Sequence, residues 1–152
     1  MKPSEFILPS DINYYTFLKI LHERRYNAYF EIGSRSGASI SLSNSPSVGI
    51  DPCFSLTHCP ITNKDFCLLF QESADDFFAK SIQKLPTLKC ELAFIDGMHL
   101  FEFALRDFIN LSKIASQKSL FLFHDCMPSS FEMATRDFKS IPKGMAWTGD
   151  IW

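Results

Sequence analysis

Five short apolar runs, each closed by an acid, a glycine or a polar turn, recur along the chain with helical patterns between them. They are Ala28 to Gly33 (AYFEIG), Ser47 to Asp51 (SVGID), Cys67 to Ser73 (CLLFQES), Cys90 to Gly97 (CELAFIDG) and Ser119 to Asp125 (SLFLFHD). Their apolar residues are nearly continuous rather than alternating, which suits strands buried on both faces. Before the first run, Ser10 or Asp11 can cap a helix through about Tyr26, with Tyr15, Leu18, Leu21 and His22 at helical spacing. Ala38 to Asn44 reads as a short helix stopped before Pro46. Ala74 to Leu85 reads as a helix with acids in its first turn, where the dipole favours them. The clearest helix is Leu100 to Ala115, with Phe101, Ala104, Leu105, Phe108, Leu111 and Ala115 on its apolar face. Residues 52–66 read as a loop, and Phe131 to Ile141 as a last helix.

This alternation predicts an α/β fold: a doubly wound, mainly parallel sheet of about five strands with helices on both faces. At 152 residues the chain is expected to be one domain, 1–152, large enough to bury a core. A net charge of −2 gives no electrostatic footprint for nucleic acid or anionic lipid. No stretch approaches the ~18 apolar residues of a membrane span. The odd set Cys53, Cys59, Cys67, Cys90 and Cys126 forms no CxxC pair, so reduced thiols and a cytoplasmic location are expected. The cluster Cys53, His58, Cys59, Cys67 fits no common zinc spacing.

In a sheet of this kind ligands bind in the crevice outside the strands' C-terminal ends. Interest therefore falls on Glu31 to Gly37, Asp51, Gln71 to Ala74, Asp96 to His99, and His124 with Asp125. The first of these, Glu31-Ile32-Gly33-Ser34-Arg35-Ser36-Gly37, is an acid followed by G-x-x-x-G, not the G-x-G-x-x-G of dinucleotide loops. Glu31 would repel a pyrophosphate and suits a ligand with a cationic end. Asp51, twenty residues later, is placed to accept both hydroxyls of a ribose. Glu72, Ser73 and Ala74 could face an adenine edge. Each has a plainer alternative: Glu31 pairing with Arg35, Asp51 as a turn acid before Pro52, Asp96 as an Asp-Gly turn, His99 as a helix cap, His124 as a satisfied strand-end residue.

Together these residues resemble a class I S-adenosylmethionine-dependent methyltransferase from about Tyr29 to Pro128. The most specific stretch, LAFIDGMHLFEFALRDFINLSKIASQKSLFLFHDCMP, resembles the D-G-x-H-x-[YF]-E…D…HD pattern of the macrocin-O-methyltransferase-like and cephalosporin-hydroxylase-like subgroup. The resemblance implies a Rossmann-like sheet, bound S-adenosylmethionine, a small-molecule acceptor such as a hydroxyl, and in some members Mg²⁺. It implies donor contacts at Glu31, Gly33, Ser34, Gly37, Asp51, Glu72, Ser73, Ala74 and Asp96. It further implies metal ligation by Asp96 and Asp125, which His124 beside them could join, and a catalytic role for Asp96; His99, three residues past Asp96 at the mouth of the crevice, is the candidate base. Two departures stand out. His124-Asp125 replaces the paired acids of metal-dependent members, and SQKS precedes the fifth strand where glycines are usual. The class typically continues into two more strands after the fifth, so a truncated or shortened sheet is expected. Its open edge would need covering, for example by a second copy. A degenerate relative that binds the donor or a partner protein but transfers nothing is the alternative.

Overall fold

All five apolar runs form strands of one parallel sheet in the computed structural model, which describes residues 13–85 and 87–152. The strands are β1 (Ala28–Ile32), β2 (Ser47–Ile50), β3 (Cys67–Phe70), β4 (Cys90–Ile95) and β5 (Ala115–Phe123). Their order is β3-β2-β1-β4-β5, with every neighbouring pair parallel. The chain thus winds one way from β1 and the other way from β4, the Rossmann-like arrangement expected from the sequence.

Burial explains the uninterrupted apolar runs. Every residue of β1 is buried. Phe30 and Ile32 share one face with Val48, Ile50, Ala93 and Ile95, and that face is covered by Phe77 and by Leu111 of helix α3 (Phe101–Ile114). Tyr29 points the opposite way with Leu92 and Phe94, beneath Leu18 of helix α1 (Tyr14–Leu21) and Ile40. Each such fully buried apolar side chain contributes roughly 1.5–3 kcal/mol. Phe77 belongs to a segmented helix that begins as α2 (Ala74–Asp76), widens to a π-helical stretch at Phe77–Ser81 and tightens to a 3₁₀ turn at Ile82–Lys84. The Ser73 side chain caps it, accepting from the Asp76 N–H.

Three helix expectations need correction. The first helix ends at Leu21, short of Tyr26, because its last carbonyls are satisfied from outside. The Tyr26 hydroxyl donates to Leu21 O and the Asn44 amide to His22 O, at 2.9 and 2.7 Å. Its observed cap is Asn13, whose Oδ1 accepts from Thr16 N–H; Ser10 and Asp11 lie outside the described residues. The segment Ala38 to Asn44 is only a 3₁₀ turn at Ile40–Leu42, where serine hydroxyls compete for local backbone groups, as Ser41 Oγ does by donating to Ala38 O. The stretch Phe131 to Ile141 holds turns and a 3₁₀ turn at Phe138–Ser140 instead of a helix. Phe131 and Phe138 are both about two-thirds exposed, so a helix there would have no buried face to stabilise it. Among the described residues β5 pairs with β4 alone.

Candidate functional site

At the C-terminal edge of the sheet, four strand tips are brought level by one more backbone hydrogen bond each. Asp51 N–H donates to Phe70 O, Gly33 N–H to Ile50 O, Asp96 N–H to Ile32 O and His124 N–H to Ile95 O, all within 2.8–3.1 Å. The winding reverses between β1 and β4, and Gly33 makes that junction possible. Its φ is +89°, and a Cβ built there would lie 1.9 Å from the Asp96 carbonyl oxygen. Only glycine allows the two tips to approach so closely. A cleft of about 620 Å³ opens above them.

Of the predicted donor-binding residues, Gly33, Ser34, Asp51, Ser73, Ala74 and Asp96 line this cleft. Asp51 is held in a fixed pose: its Oδ2 accepts from Arg35 N–H at 2.9 Å and its Oδ1 from Cys53 N–H at 2.7 Å. Glu31, Gly37 and Glu72 are not among the lining residues. Glu31 is fully buried beneath the loop, taking a 2.6 Å bond from the Tyr29 hydroxyl and a 2.7 Å bond from the Ser39 hydroxyl. Burial pushes its carboxyl up to about 7, against the pull of those hydroxyls. Its partners are thus Tyr29 and Ser39 rather than Arg35. Gly37 serves packing. Its φ is +77°, and a Cβ would meet His58 O at 3.0 Å. Arg35 O and Ser36 O accept from Ser55, Thr57 and His58 N–H groups, so the 52–66 loop is clamped to the first loop.

The catalytic and metal candidates converge. Asp96 Oδ1 accepts from His99 Nε2 at 3.2 Å and from His124 Nδ1 at 3.1 Å. Asp125 Oδ2 lies 3.5 Å from His99 Nδ1 and 3.4 Å from His124 Nδ1. Asp125 adopts φ +50°, a left-handed conformation that Asp tolerates better than most residues. Both nitrogens of His99 face acceptors, Nε2 the Asp96 carboxylate and Nδ1 the Trp147 carbonyl at 2.8 Å, an arrangement that favours the positively charged ring. Burial works against that charge, but the Asp96 bond, the Trp147 carbonyl and the charges of Asp125 and Asp96 outweigh it and raise His99. His124 is likewise opposed by burial, yet Asp125 and Asp96 push it up to about 10. Asp96 answers in kind: burial raises it, and the two imidazoles more than offset this and hold it below the usual carboxylate range.

Ligand atoms of Asp96, His124 and Asp125 lie within 4.8 Å of one another. Two carboxylates and one imidazole form a mixed set that suits Mn²⁺ and admits Mg²⁺. Cys53, His58, Cys59 and Cys67 form no such group among the described residues, where all five thiols are free.

Other residues at the site were missed from the sequence. The segment Trp147–Asp150 buttresses His99. A Cβ at Gly149 would fall 1.5 Å from His99 O, Asp150 N–H donates to that same oxygen at 3.1 Å, and Asp150 Oδ1 accepts from Phe101 N–H at the start of α3. The Gly149-Asp150 turn pair was the available signal. Tyr14 and Tyr15 form part of the wall, with the Tyr14 ring 4.3 Å from that of His124. Asp107 also reaches the cleft, although the helical pattern places it beside an apolar face.

No protein-family model, no curated protein and no solved structure matches the chain. Among the described residues, no helix is long and apolar enough to cross a membrane.

Proposed function

We propose that this chain is an S-adenosylmethionine-dependent methyltransferase acting on a small-molecule hydroxyl. The observation that carries this reading is the convergence of Asp51, the Ser34–Arg35 and Ser73–Ala74 turns and Asp96 on one cleft at the reversal of winding. Asp51 is the ribose acid. Its two oxygens are oriented by backbone N–H groups, and a carboxylate's remaining lone pairs are free to accept ribose hydroxyls. The sulfonium end then lies toward Asp96 and Asp125, whose negative charge favours a cation once His99 or His124 gives up its proton.

Methyl transfer is an in-line displacement. The acceptor oxygen bonds to the methyl carbon as the carbon–sulfur bond breaks, and sulfur keeps that electron pair to become a neutral thioether. Alignment supplies most of the acceleration. The hydroxyl proton must also leave, and His99 is the candidate base. Its Nε2 is tied to Asp96 in this structure; once the Asp96 and Asp125 charges are engaged elsewhere, the ring loses what holds its second proton and Nε2 becomes available. Asp96, Asp125 and His124 would hold Mg²⁺ or Mn²⁺, which when bound lowers the pKa of the acceptor hydroxyl.

A second reading, a relative that binds the donor and transfers nothing, has one observation in its favour. Asp96 Oδ1 is already shared by two imidazoles. The readings separate on product: donor binding without methylation across a broad hydroxyl panel favours the second. Both require donor binding, which thermal unfolding tests. S-adenosylhomocysteine at a hundred times its Kd stabilises by about 2.7 kcal/mol. An unmoved transition at near-millimolar ligand removes both.

A further inference from the structure

Asp107 has no role in the chemistry above, yet its surroundings are those of a binding group. It sits on the sheet side of α3 and is only 4% exposed. What remains exposed faces the cleft, whose wall also includes Pro52, Ser73, Ala74, Asp75 and Gly97. Its Oδ2 lies 3.5 Å from the point a Cβ on Gly97 would occupy, so the carboxyl group stands directly over the turn that follows β4. Among the described residues it makes no hydrogen bond and no ion pair. The neighbouring guanidinium of Arg106 is committed to Asp75 through two bonds, Nε to Oδ1 at 3.1 Å and Nη2 to Oδ2 at 2.8 Å. A carboxyl group buried without a partner is costly, and nearly all buried polar groups are satisfied by something. Its oxygens are reached only from the cleft, so a donor that pairs with them enters from there.

We propose that Asp107 selects the base of the bound nucleoside by accepting a hydrogen bond from the exocyclic amine of adenine. This rests on the reading of the cleft as an adenosyl pocket. Asp51 fixes the ribose end at the tip of β2, and Asp107 lies on the other side of β1, over the β4 tip, with the Ser73–Asp75 turn beside it. Adenine offers an N–H donor at its 6-position. Hypoxanthine offers a carbonyl oxygen there, which an ionised carboxylate repels. Burial foremost, then the Asp75 charge, pushes Asp107 up to about 7, so above that pH the acceptor form dominates.

The experiment compares S-adenosylhomocysteine with S-inosylhomocysteine by calorimetry at about pH 8.5, above the Asp107 value of about 7, on the wild-type chain and on Asp107→Asn. A bond to a charged group corresponds to about ten- to hundredfold in affinity. The wild type should prefer the adenosyl compound by that factor. In Asp107→Asn the carboxamide can turn its NH₂ toward a carbonyl oxygen, and the preference should fall to within about threefold. A preference retained in a folded Asp107→Asn overturns the assignment of Asp107 while leaving the adenosyl pocket standing. Equal binding of both compounds by the wild type overturns it without any variant. Binding of neither overturns the pocket reading together with this one.

Discussion

Gly33 and Gly144 share a backbone conformation and differ in what surrounds them, which turns one substitution into a measurement of how tightly β1 and β4 meet. Their φ angles are +89° and +88°. Alanine at either position pays the left-handed penalty of an L residue, about 1–2 kcal/mol. At Gly144 that is the whole cost, because nothing lies within 4 Å of the new Cβ. At Gly33 the Cβ would sit 1.9 Å from Asp96 O and 2.5 Å from the Asp96 carbonyl carbon. Both contacts are backbone, and the strand carrying them is bonded on both sides. Overpacking of this kind adds about 1–3 kcal/mol. Gly33→Ala should therefore lose about 2–5 kcal/mol against about 1–2 for Gly144→Ala. For a domain of this size each kcal/mol moves Tm by roughly 2–4 °C. Thermal unfolding followed by circular dichroism, with urea denaturation for the free energies, reads the difference. Equal losses in the two variants would refute the close approach of the strand tips, and with it the geometry of the cleft.

Three further outcomes follow from the buried polar groups. Among the described residues neither His22 ring nitrogen has a hydrogen-bond partner, and burial, helped by the charge of Lys64, lowers the ring to about 4. Its folded value lies below the ordinary 6.5, so its stabilising contribution is present above pH 6.5 and is lost as pH falls through about 4, a total of about 3 kcal/mol. Acid titration of His22→Phe should show that decline flattened; an unchanged acid limb counts against it. Glu31 has the opposite sign: its folded value of about 7 exceeds 4.5, so its contribution is complete below pH 4.5 and is lost as pH rises through about 7. Glu31→Gln should be more stable than the wild type at pH above 7, with the gain vanishing below pH 4.5. Metal binding should strengthen with pH, because protonated His124 and His99 hold the carboxylates that Mn²⁺ or Mg²⁺ would take. Calorimetric Mn²⁺ affinity should be higher at about pH 8.5 than at pH 6 and absent in Asp96→Ala; pH-independent binding, or binding retained in Asp96→Ala, would exclude this ligand set.

Strand positions were legible because each run is nearly continuously apolar, which the central strands β1, β2 and β4 need because they are covered on both faces; β3 and β5, at the edges, keep the pattern although they are less buried. Helix ends were less so. Tyr26 and Asn44 stop α1 by reaching its carbonyls across a turn, which no periodicity records. The serine-rich segment after Gly37 and the Phe131 to Ile141 stretch carry helical spacing, but side-chain oxygens satisfy the backbone locally in both, and in the second no face is buried. At the site, residues immediately after strands were readable from the topology: Asp51, Asp96, His124 and Asp125 all fall at one edge. Glu31 lies within β1 rather than on the loop after it, where position 31 alternates with Phe30 and Ile32 and turns its side chain under Ser39. Asp107 and the Trp147–Asp150 segment became visible only through tertiary contact.

The account turns on the cleft above the β1 and β4 tips holding an adenosyl sulfonium, and calorimetric titration of the folded chain with S-adenosylmethionine addresses that most directly. One molecule per chain should bind, and Asp51→Asn should weaken the affinity by about tenfold or more through loss of a charged acceptor for the ribose. No heat at about 1 mM donor, a Kd whose binding free energy is only about −4 kcal/mol, or equal affinity in Asp51→Asn, would contradict it.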